Sequence, residues 1–507
     1  MSAAAAPRRG PITALVMLAA IIQVLDTTIA NVALPYMQGS LSASQDQIAW
    51  VLTSYIVASA ITTPTTGWLS ARFGRKAIFL ASVAGFTFAS LLCGAAQSLG
   101  EMVLFRVLQG IFGAALVPLS QAVMLDTYPR EKHGAAMAIW STGIMAAPIL
   151  GPAIGGWLTY NYNWRWVFDI NLPLGIIAFL GILAFVPETK TDRRHGFDLM
   201  GFAFLSLGVG ALQMCLDRGE LKDWFGSTEI LIEAAAAALG LWLFIAHSLT
   251  AERPFLSRGL VRDRNFVGGN VFMFVTCAIM YASLALLPPM LTLLEDPIVT
   301  TGYLQIPRGI TMMIGVTVAG RLVSRFDIRL LLALGLFTTG GALWLMTGFT
   351  PAMDNTPIIV TGLIQGLGFG LLYAPINAAA FATLPAELRA EGTGVYSLIR
   401  NIGGSIGISV CETLFDRNLQ VNHAVIAQSV TPFNAALHQA AAQHYWPLDS
   451  LTGLASLDQL VNLQAAMISF VDDYKFMMFV CLAATPLLLL LQPIRRQEEK
   501  PMPVASE

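Results

Sequence analysis

Asp26 is a carboxylate inside an otherwise apolar run, within the segment "LDTTIANVALP". Gln23, Asp26, Thr27, Ala30 and Asn31 recur at helical spacing, so a helix carries them as one polar stripe. An ionised carboxylate in hydrocarbon is expensive, so Asp26 must face protein or a wet cavity. Burial raises a carboxyl pKa and a nearby cation lowers it. A group poised between these two states can bind and release a proton. A buried structural anchor is the plainer alternative.

Arg106 is the matching cation. It shares one face of a second apolar run with Gln109, Gly110, Gly113, Ser120 and Gln121. Counting rise per residue from the ends of the two runs puts Arg106 and Asp26 at one depth. The expectation is a pair, direct or through water; a snorkelling arginine is the alternative. Gln23, Asn31, Tyr55, Gln109, Gln365, Tyr373 and Asn377 mix aromatic and amide groups, a mixture that suits adaptable binding of small molecules. Arg400, in the run that begins "YSLIRNIGG", is placed at an inner vestibule where it can attract anions, with a carbonyl-bonding or headgroup-bound arginine as the alternative.

Two glycine-bearing segments read as conformational devices. "GWLSARFGRK" is a short basic turn. Its Gly67 and Gly74 permit close approach of helix ends, and its Arg72, Arg75 and Lys76 can meet carboxylates or helix C-termini. In "GIMAAPILGPAIGGWL", Gly143, Ala147, Gly151 and Gly155 repeat every four residues as a ridge for tight helix packing. Pro148 and Pro152 each delete a helical hydrogen bond and favour a bend. The expectation is a kinked helix that seals the seam between two halves on the outer side.

The elements that must position these groups are membrane helices. The chain has 507 residues, 55% hydrophobic and 12% charged, with mean hydropathy +0.65. A soluble chain carries about 25% charged residues. Reading along the sequence gives about fourteen apolar runs near the 20-residue length a span needs, from 12–35 to 393–415 and 474–493. They are too long and too little alternating for barrel strands. The run after Arg8 and Arg9 is too long for the core of a cleaved signal and is read as a retained first span. Lysine and arginine crowd alternate connections, which predicts both termini in the cytoplasm.

The chain repeats itself. "GWLSARFGRK" is echoed by "GRLVSRFDIR", and "RVLQGIFGAAL" by "GLIQGLGFGLL", so Gln109 corresponds to Gln365. Two related halves mark a duplicated transporter fold. The echo leaves two extra spans between the halves. The connection 416–473 is far longer than the others and has amphipathic stretches. It reads either as a cap on the last two spans or as a docking surface for a periplasmic partner.

Other chemistries are excluded. No GxxxxGK[ST] loop signals an ATP-driven pump, and neither HExxH nor GxSxG occurs. The five cysteines lie in apolar runs without a CxxC pair, so they read as packing residues, and no metal is expected. A net charge of −2 supplies no field for nucleic acid.

The ordered set "LDTTIANVALP", "GWLSARFGRK", "RVLQGIFGAALVPLSQ", "GPAIGGWL" and "NWRWVFDINLPLG" resembles the signatures of the major facilitator superfamily, in its fourteen-span drug:proton antiporter branch. "LDRGELKDWFGSTEI" is similar to the EmrB group of Gram-negative exporters. The resemblance implies an all-α membrane protein of the inner membrane, with two six-helix bundles and two extra central helices. Residues 1–190 would form the first bundle, 191–262 the two linker spans, 263–493 the second bundle, and 494–507 a cytoplasmic tail. It implies alternating access driven by protons, with no other cofactor, and Asp26 and Arg106 as coupling residues. It implies that "GPAIGG" marks antiport. It also implies amphipathic drugs as substrates, lipid surroundings, and a periplasmic adaptor with an outer-membrane channel as partners. The chain departs from the superfamily at Ala71, where the basic turn usually has an acid, so Arg72 and Arg75 are expected to find acids such as Asp126 or Glu131. A dedicated exporter of one metabolite or siderophore, and a membrane sensor or scaffold, are the competing readings. The paired charges and the glycine ridge favour transport over a scaffold.

Overall fold

The computed structural model describes residues 9–491 apart from 130–131, 190–195, 253, 295–297, 324, 432, 436, 438–445 and 447–449. The tail 494–507 and Glu131 lie outside the described residues. All regular structure among the described residues is helical. The chain is a multi-pass helical bundle. Among the described residues, ten helices are long and apolar enough to cross a membrane.

The helices that matter here run in chain order: α1 (Arg9–Ser40), α2 (Trp50–Thr62), α3 (Thr66–Phe73), α4 (Arg75–Ala95), α5 (Leu99–Gly113), α6 (Leu116–Thr127), α7 (His133–Asn161) and α8 (Asn171–Phe185). There follow α9 (Leu199–Arg218), α10 (Thr228–Thr250), α11 (Arg264–Leu293), α12 (Ile298–Leu322), α13 (Ile328–Met346), α14 (Thr356–Ala382), α15 (Arg389–Ala427) and α16 (Leu451–Ala483). Two of the expected spans are jointed. A 3-10 turn around Pro64 separates α2 from α3, where the ring lacks the donor a regular helix needs. α5 and α6 meet at Ala114 and Ala115. Gly74, at φ 91°, turns α3 into α4, a conformation open to glycine at no steric cost.

α1 packs on α7 and α8, α2 on α5, and α4 on α5 and α8. Among the later helices, α12 packs on α14, α11 on α15, and α13 on α14 and α16. α9 and α10 form a close pair in which Gly208 and Gly240 cross backbone to backbone; a Cβ on Gly240 would meet the Gly208 Cα at 2.7 Å. α9 also touches α2 and α15, and Gln213 Nε2 donates to Ser405 Oγ at 2.8 Å.

The early and late helices meet on the face that carries the start of α1. There Arg389 reaches Asp126 at 3.3 Å. A Cβ on Gly67 would meet the Glu391 Cα at 2.6 Å, and one on Gly134 would meet Val323 at 3.2 Å. Deeper in, Gln121 Nε2 donates to Asn377 Oδ1 at 2.9 Å, and the Thr142 and Thr317 hydroxyls lie 3.4 Å apart.

The connection expected at 416–473 is mostly helix. α15 continues to Ala427 and α16 begins at Leu451, so each of these helices is far longer than the about 20 residues a span needs. Asn422 donates to Ser469 at 3.2 Å, and His423 approaches Asp458 at 3.5 Å, so the two extensions are held together as a hairpin. The low hydropathy that looked like a loop is that of helix outside a bilayer.

Candidate proton-coupling site

α1 presents Asp26 to α5 with its side chain fully buried. The carboxylate receives three donors. Arg106 Nη1 reaches Oδ2 at 2.7 Å, Gln109 Nε2 reaches Oδ1 at 2.9 Å, and Asn171 Nδ2 reaches Oδ1 at 2.7 Å. An ionised carboxylate is an acceptor only, so this set satisfies the charged form. Arg106 is equally closed off. Its Nε donates to the Val51 carbonyl at 2.9 Å and its Nη1 to Gln109 Oε1 at 2.7 Å. The Tyr55 ring lies 4.3 Å from the guanidinium carbon. The amides of Gln109 and Asn171 complete the carboxylate's partners, whereas Arg106 Nη2 is buried without a hydrogen bond.

Helix geometry places each partner. Arg106 and Gln109 are three residues apart on α5 and share a face. Asn171 opens α8, just after the short turn Trp166–Asp169, and its Nδ2 also reaches Ser90 Oγ on α4 at 2.9 Å. Ser90 in turn donates to the Phe168 carbonyl at 2.9 Å. Three membrane helices, α1, α5 and α8, therefore meet at one carboxylate, and α4 braces Asn171 through Ser90.

The other residues singled out from the sequence fall into three groups. Gln23 is half-buried and its Oε1 accepts from the Val117 backbone at 3.2 Å, while Asn31 is exposed. Gln365, Tyr373 and Asn377 are buried in α14, and Asn377 is tied to Gln121 across the two sets of helices. Arg400 is buried beside Tyr373 and Tyr281. In the basic turn, Arg75 pairs with Asp126, whereas Arg72 stacks its guanidinium on Trp68 and Phe73.

The glycine ridge of α7 has a different partner from the one expected. Gly151 lies on Thr28, whose Cβ would be 2.7 Å from an added methyl. Gly155 lies on the Ile29 backbone at 3.3 Å, and Gly143 on Met17. The ridge thus clasps α1, the helix that carries Asp26, and it is the start of α7 that reaches the late helices. α7 stays helical through Pro148; the Pro152 side chain lies outside the described residues.

Sequence reasoning missed Asn171 and Ser90, although the "DINLP" segment that holds Asn171 had been noted. It also missed a carboxyl cluster beyond the end of α9. There the Glu220 carboxyl is pushed up to about 8, first by loss of surrounding water and then by Asp416 and Glu412. All five cysteines are buried and free, and no group of metal ligands occurs among the described residues.

Residues 16–408 match the Major Facilitator Superfamily. The chain belongs to that family. It is a transporter and not an enzyme. It is 37% identical over 421 residues to the multidrug export protein EmrB of Escherichia coli K12, covering 82% of each chain. It is 36% identical over 427 residues to the fatty acid resistance protein FarB of Neisseria gonorrhoeae, covering 84% of each. The fold is like that of the human organic anion transporter MFSD10, with TM-score 0.58 and 14% identity over 94% of this chain and all of that one. The proton:xylose symporter XylE gives TM-score 0.57 at 14% identity, over 92% of this chain and 96% of that one.

Proposed function

We propose that this transporter exports amphipathic drugs or toxic compounds across the inner membrane in exchange for protons. The observation that carries the reading is the buried Asp26–Arg106 pair, a carboxylate held by three donors among helices that cross the membrane. When Asp26 takes a proton, the negative charge opposite Arg106 is lost, the pair weakens, and the helices that share it, α1, α5 and α8, are released to move. A proton is the one coupling ion required. The similarity to EmrB supports drug efflux, and the similarity to FarB supports amphipathic acids among the compounds handled.

The fold is read as fourteen spans, with α2–α3 and α5–α6 each counted as one. Residues 1–190 and 263–493 form two six-helix bundles, with α9 and α10 as linker spans between them and a cytoplasmic tail at 494–507. Both termini face the cytoplasm, as the basic turns require. The early and late helices then touch on the cytoplasmic side, and this conformation is outward-facing. Gly67, Gly74, Arg72 and Arg75 belong to that closure. Gly143, Gly151 and Gly155 hold α1 against α7 so that a change at Asp26 moves both. Gln23, Asn31, Tyr55, Gln109, Gln365, Tyr373, Asn377 and Arg400 surround the substrate path. The helical hairpin beyond α15 and α16 stands on the periplasmic side and exposes Val421, Val425 and Leu454 to a periplasmic adaptor that leads to an outer-membrane channel.

The test is flux in proteoliposomes under an imposed pH gradient, with a panel of dyes, weak acids and siderophores. Uphill movement of several amphipathic dyes supports the reading. Movement of one metabolite or siderophore alone would replace drug export by a dedicated exporter, and no pH-driven flux of any compound would overturn it.

A further inference from the structure

The late helices hold a second buried arginine, in surroundings unlike those of Arg106. Arg308 on α12 is 7% exposed and lines a cleft with Ser283, Thr361, Gln365 and Tyr474. Its Nη2 reaches the Met280 carbonyl at 3.4 Å and its guanidinium lies 5.5 Å from the Phe369 ring centre. Among the described residues, no carboxylate is within ion-pair distance of it. Asp473, next in the chain to Tyr474, is buried with neither carboxylate oxygen hydrogen-bonded, and it forms no ion pair with Arg308.

The internal echo makes the absence specific. Gln365 corresponds to Gln109, but Gln109 meets Asp26 on α1, whereas Gln365 Oε1 accepts from Ser283 Oγ on α11 at 3.2 Å. The amide end of Gln365 is then left as a donor: its Nε2 is buried and makes no hydrogen bond. A buried cation and a buried unused N–H donor thus line one cleft, and both call for an acceptor. The cleft has room for a species about the size of one water molecule.

We propose that the Arg308 cleft binds one small monovalent anion, a halide or the carboxylate tip of a larger ligand. The anion takes the place that Asp26 fills in the early helices. Arg308 supplies the charge, and Gln365 Nε2 supplies a hydrogen bond. The proposal stands on this cleft alone and does not require proton coupling.

Detergent-purified full chain is the material, and radiolabelled chloride and acetate are the probes, at constant ionic strength without a proton gradient. Wild type is expected to bind at least one probe saturably at one site per chain. Arg308→Gln should weaken that binding at least ten-fold. Gln365→Glu supplies a built-in carboxylate beside Arg308, so it should fold with an internal pair and also lose the anion. Displacement of the label by octanoate identifies the ligand as the head of an amphipath, and failure of octanoate to displace it identifies a free ion. If neither probe binds wild type, or if both variants bind as wild type does, the proposal is overturned. Because no gradient is applied, failure of pH-driven export leaves this result unaffected, and the reverse also holds.

Discussion

Arg106 Nη1 lies 2.7 Å from Asp26 Oδ2, and neither side chain is reached by solvent. Removing one member of such a pair leaves the other charged and unmatched, which costs about 3–5 kcal/mol. Arg106→Gln should therefore lower thermal stability in detergent sharply. Asp26→Asn in the same chain should restore part of the loss, because no buried charge then remains. Equal stability of the single variant, the double variant and wild type would show that the pair is not energetically coupled.

The contact between α7 and α1 gives a second cycle. Gly151→Ala places a methyl group against Thr28, whose hydroxyl is held by the Leu25 carbonyl at 2.9 Å. Overpacking of this kind costs about 1–3 kcal/mol. Thr28→Ala removes the hydroxyl, the nearer atom, and keeps the Cβ, so the double variant should recover part of the melting temperature. The same loss in both backgrounds would mean that Gly151 does not pack on Thr28.

Asp126 joins Arg75 of the basic turn to Arg389 at the start of α15. Each such partly exposed pair is worth about 0.2–1 kcal/mol, enough to shift a balanced equilibrium several-fold. In a chain whose native cysteines are replaced, spin labels at the exposed positions Phe73 and Phe326 report this closure. Asp126→Asn should add a longer inter-label distance to the short one seen without it. An unchanged distance distribution would remove Asp126 from the closure.

The hairpin makes a separable prediction. Replacing residues 421–460 by a short Gly/Ser linker should leave flux in proteoliposomes intact. It should abolish co-purification with the periplasmic adaptor and drug resistance of cells with an intact outer membrane. A shortened chain that still captures the adaptor and still protects cells would make the hairpin a cap only.

How much of this was legible in the sequence depends on the scale of the interaction. Asp26 and Arg106 stood out because charge in an apolar run is costly and therefore needs a partner, and counting helical rise put them level. Asp126 was foreseen as an acid for Arg75 because Ala71 left the basic turn without its own. Asn171 was not foreseen, since an amide at a helix start has many roles and only the turn before α8 aims it at Asp26. The partner of the glycine ridge was misjudged for a similar reason. A small-residue face says that something packs closely, and the choice between α1 and the late helices lies in the tertiary arrangement. The echo located Gln365 but not Arg308, because the late cation sits on α12 whereas Arg106 sits on α5.

The central claim is that Asp26 carries or controls the coupling proton. It is tested most directly by Asp26→Asn in proteoliposomes, with substrate movement and internal pH followed together under an imposed gradient. The variant should still insert, with the lower thermal stability that an unmatched Arg106 brings, move substrate only down its own gradient, and release no protons in exchange. Full uphill export by Asp26→Asn, with wild-type proton movement, would contradict the account.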